Sequence, residues 1–203
     1  MKNIKLKNGF LVTDKGVQRR DVILRDGLID LSGKQKDYNE VVDLAGKYIL
    51  PGFVDIHFHG YNLFDFTFGT FEPATNTFDG SESAYKAGFE MLSKTLPRFG
   101  VTGFYVATFA ADMGTLKNCY RNLAEYLKQQ PKAPAGARLL GGLLEGSFIN
   151  PEMAGAQNSE YVFEFSKEAF DSIEDTGSIK SVSYTHLRAH ETRHDLVCRL
   201  LLE

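Results

Sequence analysis

The chain has 203 residues, 43% of them hydrophobic and 24% charged, with a formal net charge of −3. That length allows one large domain or two small ones, and the near-neutral charge argues against nucleic acid or an acidic membrane surface as the main partner. No apolar run approaches the roughly 18 residues of a membrane helix. The opening MKNIKLKNGF lacks the apolar stretch of a signal peptide. The cysteines, Cys119 and Cys198, provide no disulfide framework and suit a reducing cytoplasm.

Residues 1–50 read as short strands joined by tight turns. Asn8-Gly9 and Asp26-Gly27 are hairpin dipeptides that favour positive φ, and the runs Phe10 to Val12, Val22 to Leu24 and Leu28 to Ile29 are β-prone. After Pro51-Gly52 a strand is predicted from Phe53 to His59, then a loop rich in Phe, Gly and Thr to about residue 80. A helix follows over Ser83 to Phe99, where Tyr85, Phe89, Leu92 and Leu96 recur at helical spacing, and Gly100 stops it. The pattern continues with a strand at Gly103 to Phe109, a helix at Thr115 to Gln129 and a strand at Ala137 to Leu144. A helix near Phe165 to Glu174 and a strand at Ser178 to Val182 complete it. Such alternation predicts βαβ units around a parallel sheet, with no other repeat.

Chemistry in such sheets gathers at the carboxyl ends of the strands. His57, His59, Thr108 and Glu145 all fall at predicted strand ends. In VDIHFHG, His57 and His59 share one face of a strand and Phe58 the other, with Asp55 on the histidine face as a candidate acceptor behind the imidazoles. Two imidazoles on one face can hold a divalent cation; a pair of hydrogen-bonded core histidines fits the same pattern. A Glu in a loop usually lies at the surface, but the apolar LLGGLL before Glu145 places this carboxylate at the exit of a buried strand.

The stretch ILPGFVDIHFHG resembles the first barrel strand of the amidohydrolase superfamily, metal-dependent hydrolases with a β-rich companion domain and a (β/α)₈ barrel. LLGGLLEGSFINPEMAGAQN is similar to the segment after the third barrel strand of N-acetylglucosamine-6-phosphate deacetylases, and FGVTGFYVATF to their second strand, ending at Thr108. The resemblance spans about residues 3–182 and implies an α/β fold: a small β-rich sandwich module over 1–50, then the first four βα units of an incomplete barrel over 51–182. It implies His57, His59 and Glu145 as ligands of a divalent cation, zinc, iron or similar, with Ala156 and Gln157 contacting an amino-sugar phosphate substrate. No catalytic residue proper is expected here, because the family's general-base aspartate and two later histidines belong to strands downstream. A cytoplasmic, homo-oligomeric parent is implied. The sequence departs from the family at Ser147, where Pro is usual, and at Leu143, where His is usual. The departures leave room for a different acylated amino sugar, for an unrelated amide such as a cyclic amide or a dipeptide, or for a non-catalytic binding barrel.

His186, His190 and His194 are spaced to share a helical face, as a zinc site would require. A different origin fits better. VSYTHLRAHET, over 182–192, matches the translation of a transposase library adapter, and LVCRLLLE, over 196–203, that of an index-side primer, with a segment of index length between. Residues 183–203 are therefore expected to be non-native, leaving Cys119 as the native cysteine. Four strands cannot close an eight-stranded barrel, so the polypeptide as written is expected to be inactive and aggregation-prone.

Overall fold

The computed structural model describes residues 3–25, 28–30, 38–132, 135–173 and 177–184, with residues 183 and 184 by backbone alone. The chain divides into two compact units, Met1–Phe53 and Val54–Glu203.

The first unit holds β1 (Ile4–Lys7), β2 (Phe10–Thr13), β3 (Gly16–Arg19), β4 (Val22–Arg25), β5 (Leu28–Asp30), β6 (Glu40–Asp43) and β7 (Tyr48–Ile49). They form two small sheets, in the orders β5-β4-β1-β6 and β3-β2-β7, with Leu11, Val22 and Ile23 buried. One turn reading needs correction. Asn8 has the positive φ its type favours, 58°, yet Asn8-Gly9 closes no hairpin, because β1 and β2 belong to different sheets. The hairpin lies one strand later, where β2 and β3 pair up to Thr13↔Gly16 around Asp14-Lys15. Arg25 pairs with Leu28 around Asp26-Gly27, a dipeptide that itself lies outside the described residues.

The second unit is built on β8 (Phe53–Phe58), whose first residue belongs to the preceding unit. Four short strands follow, β9 (Gly60–Tyr61), β10 (Phe64–Asp65), β11 (Gly69–Glu72) and β12 (Thr77–Asp79). Helix α1 (Glu82–Thr95), β13 (Val101–Ala107), helix α2 (Met113–Gln129), β14 (Arg138–Phe148), helix α3 (Lys167–Ile173) and β15 (Ile179–Tyr184) complete it. The main sheet has the order β15-β14-β13-β8, and β14 runs parallel to both β13 and β15. This is the predicted alternation, with β14 continuing four residues past its expected end, to where Phe148 pairs with Tyr184.

Both long helices start where capping chemistry dictates. The Ser81 hydroxyl accepts the Ala84 N–H, and the Asp112 carboxylate accepts the Thr115 N–H, each satisfying one otherwise bare donor of the first turn. A short 3₁₀ turn, Leu96–Phe99, ends α1 at Gly100. The periodic residues read from the sequence are those that bury. Tyr85, Phe89 and Leu92 of α1, and Leu116, Cys119 and Leu123 of α2, pack with Phe104 and Val106 of β13 and Leu139 and Leu144 of β14. Leu127 packs at the margin of this core.

The stretch predicted as a loop after the histidines is instead an antiparallel meander, ordered β12-β11-β10-β9. Its anchor is aromatic. Phe64 and Phe66 are buried, and Phe64 meets Tyr85 and Phe89 edge-on. Gly88 lets the Phe64 ring lie against α1, since a Cβ there would stand 2.2 Å from the ring. His186, His190 and His194, with Cys198, lie outside the described residues, as does the end of the predicted helix at Glu174.

Candidate metal centre

The two upstream histidines arrive together at the end of one strand. Phe58 turns into the core, edge-on to Phe104, so its neighbours His57 and His59 leave on the opposite side. Their Nε2 atoms stand 3.2 Å apart. From β14, two strands away, Glu145 brings Oε2 to 2.5 Å from His57 Nε2 and 3.2 Å from His59 Nε2. These three are the one group of side chains among the described residues that could hold a metal ion, with potential ligand atoms all within 4.8 Å of one another.

Two of the three side chains, His59 and Glu145, are held from behind. The Ala107 carbonyl lies 3.1 Å from His59 Nδ1 and so fixes the ring proton on that nitrogen, leaving the Nε2 lone pair for a cation. Phe109 stacks on the same imidazole at 4.0 Å and 8°. Asp55, expected behind the imidazoles, instead accepts the backbone N–H of His57 at 3.1 Å. It braces the strand through the main chain, because an Asp two residues back reaches the nearer main-chain donor first.

Glu145 is fixed at both its main chain and its carboxylate. The buried Thr108 hydroxyl, one residue past β13, accepts the Glu145 N–H at 3.0 Å and donates to the Glu145 carbonyl at 3.2 Å. Gln157 donates from Nε2 to Glu145 Oε1 at 3.2 Å, and its own Oε1 accepts the Ala110 N–H at 2.7 Å. Ala156, the other residue of the expected substrate loop, is exposed beside it. Of the two departures from the family pattern, Leu143 is buried, and Ser147 is buried with a hydroxyl that has no partner among the described residues.

Charge follows the geometry. The hydrogen bond that the His59 imidazolium donates to the Glu145 carboxylate raises the His59 pKa above its ordinary 6.5, against the pull of burial. Burial works against ionisation of Glu145, yet His59 and His57 together outweigh it and hold the carboxyl below its usual range. Asp65, in the meander, is pushed up by burial, while the N–H groups of Thr67 and Phe68 and the charge of His59 resist.

The donor set fits a divalent cation. Bonds of 2.0–2.1 Å at a tetrahedral angle put two imidazole nitrogens ~3.3 Å apart, close to the 3.2 Å between His57 and His59. The 2.5 Å contact of His57 with Glu145 is a hydrogen-bond length. A cation held by all three side chains would take the place of that proton.

The fold resembles part of the amidohydrolase barrel and its β-rich companion. No protein-family model matches the chain. More particularly, the chain is similar to N-acetylglucosamine-6-phosphate deacetylases. It is 28% identical over 168 residues to that protein of Bacillus subtilis, an alignment covering 77% of this chain and 39% of the relative. The crystal structure of the Pasteurella multocida protein of that name superposes with a TM-score of 0.67 at 20% identity, covering 90% of this chain and 44% of the other. A shorter likeness, 38% identity over 58 residues, links the chain to the D-hydantoinase of Ralstonia pickettii, covering 28% of this chain and 13% of that protein. The chain thus spans about two fifths of the length of the deacetylase relatives it matches.

Sequence reasoning singled out His57, His59 and Glu145, and the structure brings them together. It missed the grip of Thr108 on the Glu145 main chain, the stacking of Phe109, and the double engagement of Gln157. Only Thr108 gave a signal, a Thr at a predicted strand end.

Proposed function

We propose that this chain carries part of the metal and substrate machinery of a hydrolase that removes the N-acetyl group from an amino-sugar phosphate. The convergence of two imidazoles and one carboxylate from separate strands supports the reading most strongly. Similarity to N-acetylglucosamine-6-phosphate deacetylases over most of the chain supports the substrate.

A divalent cation bound there, zinc, iron or similar, supplies Lewis-acid polarisation of an amide carbonyl and lowers the pKa of water. His57 and His59 offer Nε2, and Glu145 offers Oε2. Ala107 and Phe109 keep the His59 ring in the one orientation that serves this purpose. Ala156 and the unused second N–H of Gln157 face the sugar phosphate. The general-base aspartate and two further histidines come from the rest of the parent protein, which is cytoplasmic and self-associating. Among the described residues no helix is long and apolar enough to cross a membrane. In this reading residues 1–50 are the companion module, 51–182 the first barrel units, and 183–203 translated adapter, and the 203-residue polypeptide itself does not turn over substrate.

Sequencing the locus past codon 181 and assaying the intact product for acetate release from N-acetylglucosamine-6-phosphate tests the reading. Full activity with His57, His59 and Glu145 all changed to Ala would defeat it. Hydrolysis of a hydantoin but not of the acetylated sugar favours the second reading, a cyclic-amide hydrolase, which rests on the D-hydantoinase likeness.

A further inference from the structure

We propose that Gln157 is a positioning residue that fixes which oxygen of Glu145 faces the two histidines. The inference rests on the assignment of His57, His59 and Glu145 as metal ligands.

The orientation of the Gln157 amide follows from its neighbours. The Ala110 main-chain nitrogen can only donate, so the Gln157 atom 2.7 Å away is the carbonyl oxygen. That leaves the NH₂ group against Glu145 Oε1, and an ionised carboxylate only accepts. Neither contact survives a flip of the amide. With Oε1 committed to Gln157, Oε2 is the oxygen beside both imidazoles, at 2.5 Å and 3.2 Å.

The backbone accommodates this arrangement. Gly146, immediately after Glu145, has φ +83°, a region L side chains rarely adopt. A Cβ there would stand 2.5 Å from Gln157 Oε1 and 2.7 Å from the Ala110 nitrogen. A bare backbone at 146 thus opens the space in which the amide bridges the loop after β13 to the end of β14. Because Gln is neutral, it orients the carboxylate without adding charge beside a cation. Both of its ends are engaged within the protein, which gives it a task separate from sugar contact. Partners standing behind metal ligands typically change metal affinity by about 10–100-fold when removed.

Cobalt(II) titration of the 203-residue chain, read by visible absorption, tests the proposal in wild type, Q157M and Q157E, with metal-free melting followed by circular dichroism. Q157M keeps the length of the side chain and loses both hydrogen bonds; Q157E sets a second carboxylate against Glu145. Cobalt affinity is expected to fall about tenfold or more in Q157M and further in Q157E, with an altered cobalt spectrum and an unchanged metal-free melting temperature. Equal affinity in wild type and Q157M overturns the proposal. So does a weakening that comes with a lower melting temperature and an unaltered spectrum, the mark of a packing role. Should Q157M not fold, the side-chain amide resonance of Gln157 in the wild type decides. Zinc shifts it and slows its exchange if the proposal holds, and leaves it untouched otherwise. Cobalt binding by the intact parent protein that is unchanged when His57, His59 and Glu145 are all replaced by Ala defeats the ligand assignment and this inference together, whereas binding that is equal in wild type and Q157M defeats this inference alone.

Discussion

Replacing Thr108 with Val removes one hydroxyl and leaves the shape of a fully buried side chain almost unchanged. That hydroxyl accepts the Glu145 N–H at 3.0 Å and donates to the Glu145 carbonyl at 3.2 Å. In T108V the amide of Glu145 is stranded in the interior, which costs about 1–3 kcal/mol, and the lost bond to the carbonyl adds about 1 kcal/mol. The new methyl recovers at most about 0.8 kcal/mol. A net loss of about 2 kcal/mol is expected, a large share of the ~5–15 kcal/mol typical of a domain. The contact of Thr108 N–H with the Leu143 carbonyl is main-chain only and survives, so the strands still pair. Urea unfolding by circular dichroism measures the change, with Thr108→Ser as the control that keeps the hydroxyl and loses only a methyl. T108V within about 0.5 kcal/mol of wild type, or T108S less stable than T108V, would refute the assignment of the hydroxyl as the clasp on Glu145.

Three further outcomes follow from the geometry. Gly88→Ala forces a methyl to within 2.2 Å of the Phe64 ring, so overpacking of about 1–3 kcal/mol should outweigh the ~1 kcal/mol gained in helix propensity; thermal melting that shows a stabilised variant would contradict the docking of the meander on α1. Glu145→Gln keeps the shape of the side chain and removes its charge, and isothermal titration with zinc should show at least a tenfold loss of affinity; an unchanged isotherm would remove Glu145 from the centre. In the metal-free protein, the raised pKa of His59 contributes stability that is complete below about 6.5 and is lost as pH rises through the higher folded value. The lowered pKa of Glu145 contributes stability present above its ordinary 4.5 and lost as pH falls through the folded value. The pair therefore supports the fold best between about pH 4.5 and 6.5. Zinc must displace the His59 proton, so zinc affinity should keep rising with pH above 6.5 before it levels; titrations at pH 6, 7 and 8 giving equal affinities would contradict this.

What could be read from the chain beforehand depended on the range of the interaction. The buried faces of α1 and α2 follow from spacing within two or three turns, and Tyr85, Phe89, Leu116 and Leu123 all lie in the core as that spacing requires. The meander escaped because its order comes from elsewhere: Phe64 is anchored by Gly88, Tyr85 and Phe89, residues that a reading of 61–80 does not see. Asn8-Gly9 shows the same limit. Its positive φ is a local preference, but whether the chain turns back into a hairpin or passes to another sheet depends on partners such as β6 and β7. At the centre, His57 and His59 were legible through their separation of two, whereas the tie from Gln157 to Ala110 crosses 47 positions and exists only once the loops have met.

Separation along the chain has a further consequence. Glu145 follows His57 by 88 positions, and β13 lies between their strands in the sheet. During synthesis both imidazoles emerge well before the carboxylate that completes the set, so the full centre cannot guide early folding. A cation held there would clasp the end of β8 to β14 across β13, and separating those two strands would require its release. Its principal mechanical effect is then to slow unfolding, with little influence on how quickly the sheet first assembles.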